Sequence, residues 1–139
     1  MVETAPGRLK AADDFPQLIN APRVSLPPEV EELFDDANGD LALGELDAAV
    51  EKYRRCTELA PEFFDAWHAL GMALMKIGRY PEAIQVGKKS VELQPNDQLA
   101  WSSLSLYYVR ANQIAEAEAA GAKAKILSWG GKIKKPSSP

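Results

Sequence analysis

A period of 34 residues runs through most of this chain. Shifting the sequence by that distance places Trp67 on Trp101, Ala66 on Ala100, Leu70 on Leu104 and Pro61 on Pro95. The same shift superposes Ala49, Ala83 and Ala117, then Leu46, Tyr80 and Ile114. Leu59, Leu93 and Leu127 form another such series, as do Cys56, Ser90 and Ala124. Apolar and small slots recur together, which confines the chain to architectures where each unit buries its apolar side against the next.

Within one period the pattern is helical. Trp67, Leu70, Gly71 and Leu74 lie three, four and seven apart, one stripe of an amphipathic helix. Gly78 breaks the run, and Tyr80, Ala83, Ile84 and Val91 begin a second helix with Pro81 in its first turn. Pro95-Asn96 closes it. Each period is therefore a helix pair turning at Gly44, Gly78 or Asn112, residue types that accept a positive φ. Gly71 and Ala83 are expected to let the two helices of a pair approach closely.

The run Trp67-x-x-Leu70-Gly71-x-x-Leu74, followed by Ala83 and Pro95, resembles the tetratricopeptide repeat, with Leu74 in the usual Tyr slot. The third copy supplies Trp101-x-x-Leu104-Ser105-x-x-Tyr108 and then Ala117; the first matches through Ala49, Tyr53 and Pro61. Asp36 and Asp40 depart from the pattern where Leu70 and Leu74 stand one period later, and Gly87 and Gly121 replace the aromatic at Tyr53. The resemblance spans roughly residues 30–128. It implies an all-α, right-handed superhelical stack of three helix-turn-helix repeats (30–63, 64–97 and 98–128) with six antiparallel helices.

The remainder divides into tails. Residues 1–29 hold five of the ten prolines and are expected to be extended, with Phe15, Leu18, Ile19, Val24 and Leu26 as possible anchors. Residues 129–139 form a basic tail, and Gly130-Gly131 is expected to end the last helix. Trp129 is expected to fold back over the open edge of the last repeat. The five lysines between Lys123 and Lys135 are not interleaved with aromatics as in a nucleic-acid-binding fold.

Composition excludes much chemistry. At 139 residues the chain is one domain with tails, and a single Cys rules out a disulfide framework or a multi-thiolate metal site. No apolar run approaches the ~18 residues of a membrane span, and the phosphate-binding and dinucleotide glycine motifs do not occur. The start, Met1-Val2-Glu3-Thr4-Ala5-Pro6, lacks the basic-then-apolar order of a secretory signal, so a cytoplasmic location is expected. Cys56 shares its slot with Ser90 and Ala124 and reads as a small core residue rather than a reactive thiol. His68 is the one histidine, and no motif places a nucleophile beside it. No enzyme activity, cofactor or resident metal is expected.

One segment competes with the repeat reading. Asp36, Asn38, Asp40 and Asp47 take the first, third, fifth and twelfth places of a calcium-loop spacing. Leu41 stands where such a loop needs Gly, and Asp47 is short for the closing bidentate ligand. A calcium sensor through residues 36–47 is carried as an alternative.

The resemblance places a protein or peptide partner on the face of each first helix that lines the hollow side of the stack. The residues there are Phe34, Asn38 and Leu41; His68, Met72, Met75 and Lys76; and Ser102, Leu106, Val109 and Arg110. Methionines repack around different shapes, so the groove should favour apolar side chains. Some family members hold the acidic tail of heat-shock chaperones with Lys and Asn on these helices. Here Phe34, His68 and Ser102 fill successive equivalent slots, which disfavours that ligand. The expected function is a non-catalytic adaptor or assembly subunit. Charge suggests an alternative: residues 30–64 hold ten acidic and three basic residues, residues 97–139 three and six, so oppositely charged ends could stack copies into a homo-oligomer.

Overall fold

The computed structural model describes residues 26–133. Residues 1–25 of the expected extended segment and residues 134–139 of the tail lie outside the described residues. Six helices form three hairpins: α1 (Pro28–Ala42) with α2 (Leu46–Leu59), α3 (Phe64–Lys76) with α4 (Tyr80–Leu93), and α5 (Gln98–Arg110) with α6 (Ile114–Ser128). No strand occurs among the described residues.

Local chemistry sets the boundaries. Pro28 and Pro81 sit in the first turns of α1 and α4, where the missing N–H has no partner to lose. Asp97 caps α5 by accepting the Ala100 N–H at 2.9 Å. Every hairpin turns on a residue of positive φ: Gly44 at 80°, Gly78 at 84° and Asn112 at 64°. These are Schellman turns. At the second, Arg79 N–H reaches Leu74 O at 2.9 Å and Gly78 N–H reaches Met75 O at 3.0 Å, satisfying carbonyls the helix end leaves open.

Each helix packs on its neighbours in sequence, and α3 also touches α5 directly. The main core runs through all three hairpins, from Ala49 and Tyr53 through Leu70, Leu74 and Ala83 to Leu104, Tyr108 and Ala117. A smaller cluster joins Val30, Cys56 and Ala66. Cys56 is fully buried, its sulfur 3.8 Å from the Val30 carbonyl, and burial raises its thiol pKa. It is a core residue, as its slot indicated.

The two repeat tryptophans do the same work one period apart. Trp67 and Trp101 are half-buried, and their indole N–H groups donate to Pro61 O at 2.8 Å and Pro95 O at 2.7 Å. Each also lies under a lysine from the second helix of its own hairpin, Lys89 at 5.9 Å and Lys123 at 4.8 Å from the ring centroids. This locks each inter-repeat loop to the helix that follows it.

Three expectations need correction. Gly71 is pressed first by the next repeat, since a Cβ there would stand 2.9 Å from the hydroxyl of Tyr107 on α5, rather than by its hairpin partner α4. Trp129 does not cover the last repeat and is 75% exposed, because Gly130 (φ 88°) turns the chain away just after it. Gly131 N–H closes that turn on Ile126 O at 2.9 Å, and the chain runs back until Ile133 N–H meets Asn96 Oδ1 at 2.8 Å. Residues 36–42 are helical rather than part of a cation loop, and Asp40 pairs with Lys52 at 2.8 Å. The hydrogen bond and charge of Asp40 hold the Lys52 ammonium above its ordinary pKa.

Candidate partner-binding surface

The first helices α1, α3 and α5 carry the predicted groove residues, and the structure divides them. On α1, Phe34 and Leu41 are half-buried in packing, and Asn38 is exposed but engaged by a neighbouring side chain. Phe34 packs between Tyr53 and Phe63, with ring centroids 5.6 and 4.9 Å away. Asn38 accepts the Tyr53 hydroxyl at 2.6 Å, and Leu41 packs on the core. Phe34 is therefore a packing residue of the first inter-repeat seam, because the loop carrying Phe63 folds over it. On α3, Met72 and Met75 are half-buried against the core while Lys76 is exposed.

His68 sits in the seam between α3 and α5. Its ring stacks on Phe64, 5.7 Å away and 11° from parallel, and Nε2 lies 3.2 Å from Ser103 Oγ. Ser103 Oγ in turn donates to the Met72 sulfur at 3.7 Å. The arrangement that satisfies both has Nε2–H donating to the serine. Burial lowers the His68 pKa, against weaker opposing pulls from Asp97 and Asp65, which favours this neutral form. No motif spacing pointed to Ser103, which lies 35 residues away. Ser103 is buried, with its hydrogen directed at sulfur, so the pair reads as a structural clasp.

On α5 the predicted residues are open. Ser102, Leu106, Val109 and Arg110 are exposed, and Leu99, absent from the sequence-based set, joins them at 63% exposure. Leu99, Leu106 and Val109 fall at helical spacing on one side of α5, an apolar stripe that no described element covers. An open hollow of about 390 Å³ lined by Asp97, Gln98, Leu99 and Ser102 lies at its N-terminal end. Lys76 and Arg110, one period apart, end α3 and α5 with exposed cations. The signal for Leu99 was available, since it precedes Ser102 by three and Leu106 by seven.

Among the described residues no helix is long and apolar enough to cross a membrane. A tetratricopeptide repeat profile matches residues 34–98. No curated protein matches by sequence. Among solved structures, MamA AMB-1 superposes with a TM-score of 0.70 at 27% identity, covering 75% of this chain and 62% of its own. The MamA RS-1 ArsTM double mutant gives 0.68 at 30% identity, covering 70% and 55%. This chain thus spans about three fifths of the length of the MamA structures. The second TPR of Spaghetti (RPAP3), bound to HSP90 peptide SRMEEVD, gives 0.68 at 20% identity, covering 72% and 93%, a likeness of fold. With three hairpins 34 residues apart, the Trp67-x-x-Leu70-Gly71 signature at the seam between them and these structural neighbours, residues 26–133 form a stack of tetratricopeptide repeats.

Proposed function

We propose that the protein is a non-catalytic adaptor that holds a protein or peptide partner on the hollow side formed by α3 and α5. The observation that carries this is the uncovered stripe of Leu99, Leu106 and Val109 on α5, with half-buried Met72 and Met75 on the neighbouring α3 and exposed Lys76 and Arg110 at the ends of the two helices. Such a surface takes an extended or helical segment with apolar side chains at its centre and an acidic residue towards the lysine and arginine. The Spaghetti domain holds an acidic peptide, SRMEEVD. Phe34, His68 and Ser102 provide no row of cations here, so the central contacts of this chain are apolar. A cytoplasmic setting and a role in complex assembly belong to the same reading.

The test is capture of the partner from the native cell by wild-type protein and by Leu99→Glu with Val109→Glu, both exposed on the stripe. Capture is expected to fall by at least about tenfold while helical signal and melting hold, the effect of placing charge in a desolvated apolar contact. Undiminished capture would sink the assignment of this face.

A further inference from the structure

The way α5 sits on the second hairpin shows what the corresponding surface of the third hairpin is shaped to receive. Tyr107 is the knob. Its ring enters between two glycines, such that a Cβ on Gly71 would lie 2.9 Å from its hydroxyl and a Cβ on Gly87 3.1 Å from its ring. Leu104, three residues earlier, would lie 3.0 Å from that same Cβ on Gly87. Shifted by 34 residues, the socket recurs on α5 and α6 with Ser105 for Gly71 and Gly121 for Gly87. No described helix lies on it. A Cβ on Gly121 would meet only the Ser105 hydroxyl, at 3.4 Å, so the socket is built without its knob.

We propose that this end of the stack seats a partner helix where the first helix of a fourth repeat would lie, with an aliphatic side chain and, three residues later, an aromatic one entering over Gly121. The site is separate from the hollow face and does not depend on that reading. Charge sets the orientation. On the second hairpin the residues one turn to either side of Gly87 are Ile84 and Val91, both buried; their counterparts beside Gly121 are Glu118 and Lys125, both exposed. A helix antiparallel to α6, as α5 is to α4, brings its N-terminal turn to Lys125 and its C-terminal turn to Glu118. The partner helix therefore starts acidic and ends basic, which is also the distribution its own dipole favours.

Two other occupants fit less well. A second copy would present α1, whose residues in the Leu104 and Tyr107 slots are Asp36 and Gly39, with Glu32 and Asp35 alongside. It offers carboxylates and no knob, and burying unpaired carboxylates is costly. Residues 130–133 leave the socket open, since Gly130 turns the chain, Ile133 N–H meets Asn96 Oδ1, and only Ser105 would meet a Cβ on Gly121.

A labelled synthetic peptide of residues 97–111, bridged between positions 102 and 106 to hold it helical, carries the required leucine, tyrosine, leading acid and closing arginine. Titrated with the full chain, it is expected to bind saturably, one to one. Gly121→Leu, which fills the socket, should weaken binding by about tenfold or more, as should Tyr107→Ala in the peptide alone. Leu99→Glu with Val109→Glu should leave binding intact, which separates this site from the hollow face. A peptide with Asp97→Arg and Arg110→Glu should bind poorly at low salt and recover on protein carrying Glu118→Lys and Lys125→Glu. Absence of saturable binding, or indifference to both Gly121→Leu and the charge exchange, overturns the proposal. So does a protein that sediments as a dimer only when Gly121 is intact, since that would assign the socket to a second copy.

Discussion

The Tyr107 hydroxyl is buried, and burial pushes its pKa far above the ordinary phenol value against a weaker pull from the Ser103 hydroxyl, which is engaged with His68 and Met72 and gives it no well-formed hydrogen bond. An unsatisfied buried hydroxyl costs about 1–3 kcal/mol, so what keeps it is the fit of the ring against Gly71 and Gly87. Tyr107→Phe is expected to leave stability unchanged or raise it by up to about 1 kcal/mol. Gly71→Ala should lower it by about 1–3 kcal/mol through overpacking, and by less in the Tyr107→Phe background, where the atom at 2.9 Å is gone. Thermal melts of the four chains give the coupling directly. His68 predicts a pH effect. Its pKa is lowered in the fold, so the unfolded chain binds the proton more readily. Its contribution is complete above about pH 6.5 and is lost as pH falls from there through the folded value. Urea midpoints at about pH 7.5 and about pH 5.5 should differ less for His68→Gln than for wild type. Tyr107 was not legible as a core residue. Counting from Trp101 in steps of three and seven selects Leu104 and Tyr108 and passes it by, and the glycines that admit it lie on α3 and α4.

Helices and turns were the most readable level because their causes are local. Prolines in first turns, a carboxylate cap and residues fit for positive φ mark the boundaries wherever the chain continues. The three hairpin turns share one hydrogen-bond pattern but not one residue, which makes them separable by mutation. Gly78→Ala should cost about 1–2 kcal/mol, the penalty of a Cβ in the left-handed region. Asn112→Gly should stay within about 1 kcal/mol of neutral, because relief of that strain is offset by the entropy of glycine. Denaturant melts of both variants check the contrast. Helix α6 shows where local reading stops. Its apolar residues fall on every side, with Ile114 and Ile126 exposed and Ala117, Ala120 and Ala124 buried, so only contact with α5 decides which face is inside.

At the scale of the molecule, charged residues replace apolar ones on the outer faces of the first and third hairpins. Slots filled by buried Ala66 and Leu70, or Ala100 and Leu104, hold exposed Glu32 and Asp36 in the first hairpin. Ile84 and Val91 give way to Glu118 and Lys125 in the last. The Arg54–Glu82 ion pair and the tryptophan clasps tie neighbours inside the stack, while the ends resist apolar stacking of copies. The protein is therefore expected to sediment as a monomer at both about 0.01 M and about 0.15 M salt. Assembly seen only at the lower value, where the Debye length is ~30 Å rather than ~8 Å, would favour head-to-tail pairing of the charged ends. The sequence by itself determined the helix pairs, their turns and their 34-residue spacing, since each follows from contacts within one hairpin or from recurrence of a slot. Only the tertiary structure decided which apolar residues were left over. Phe34 was covered by the loop bearing Phe63, Met72 was drawn against Ser103, and Leu99 stayed in solvent, because exposure belongs to how neighbouring helices meet rather than to either helix alone.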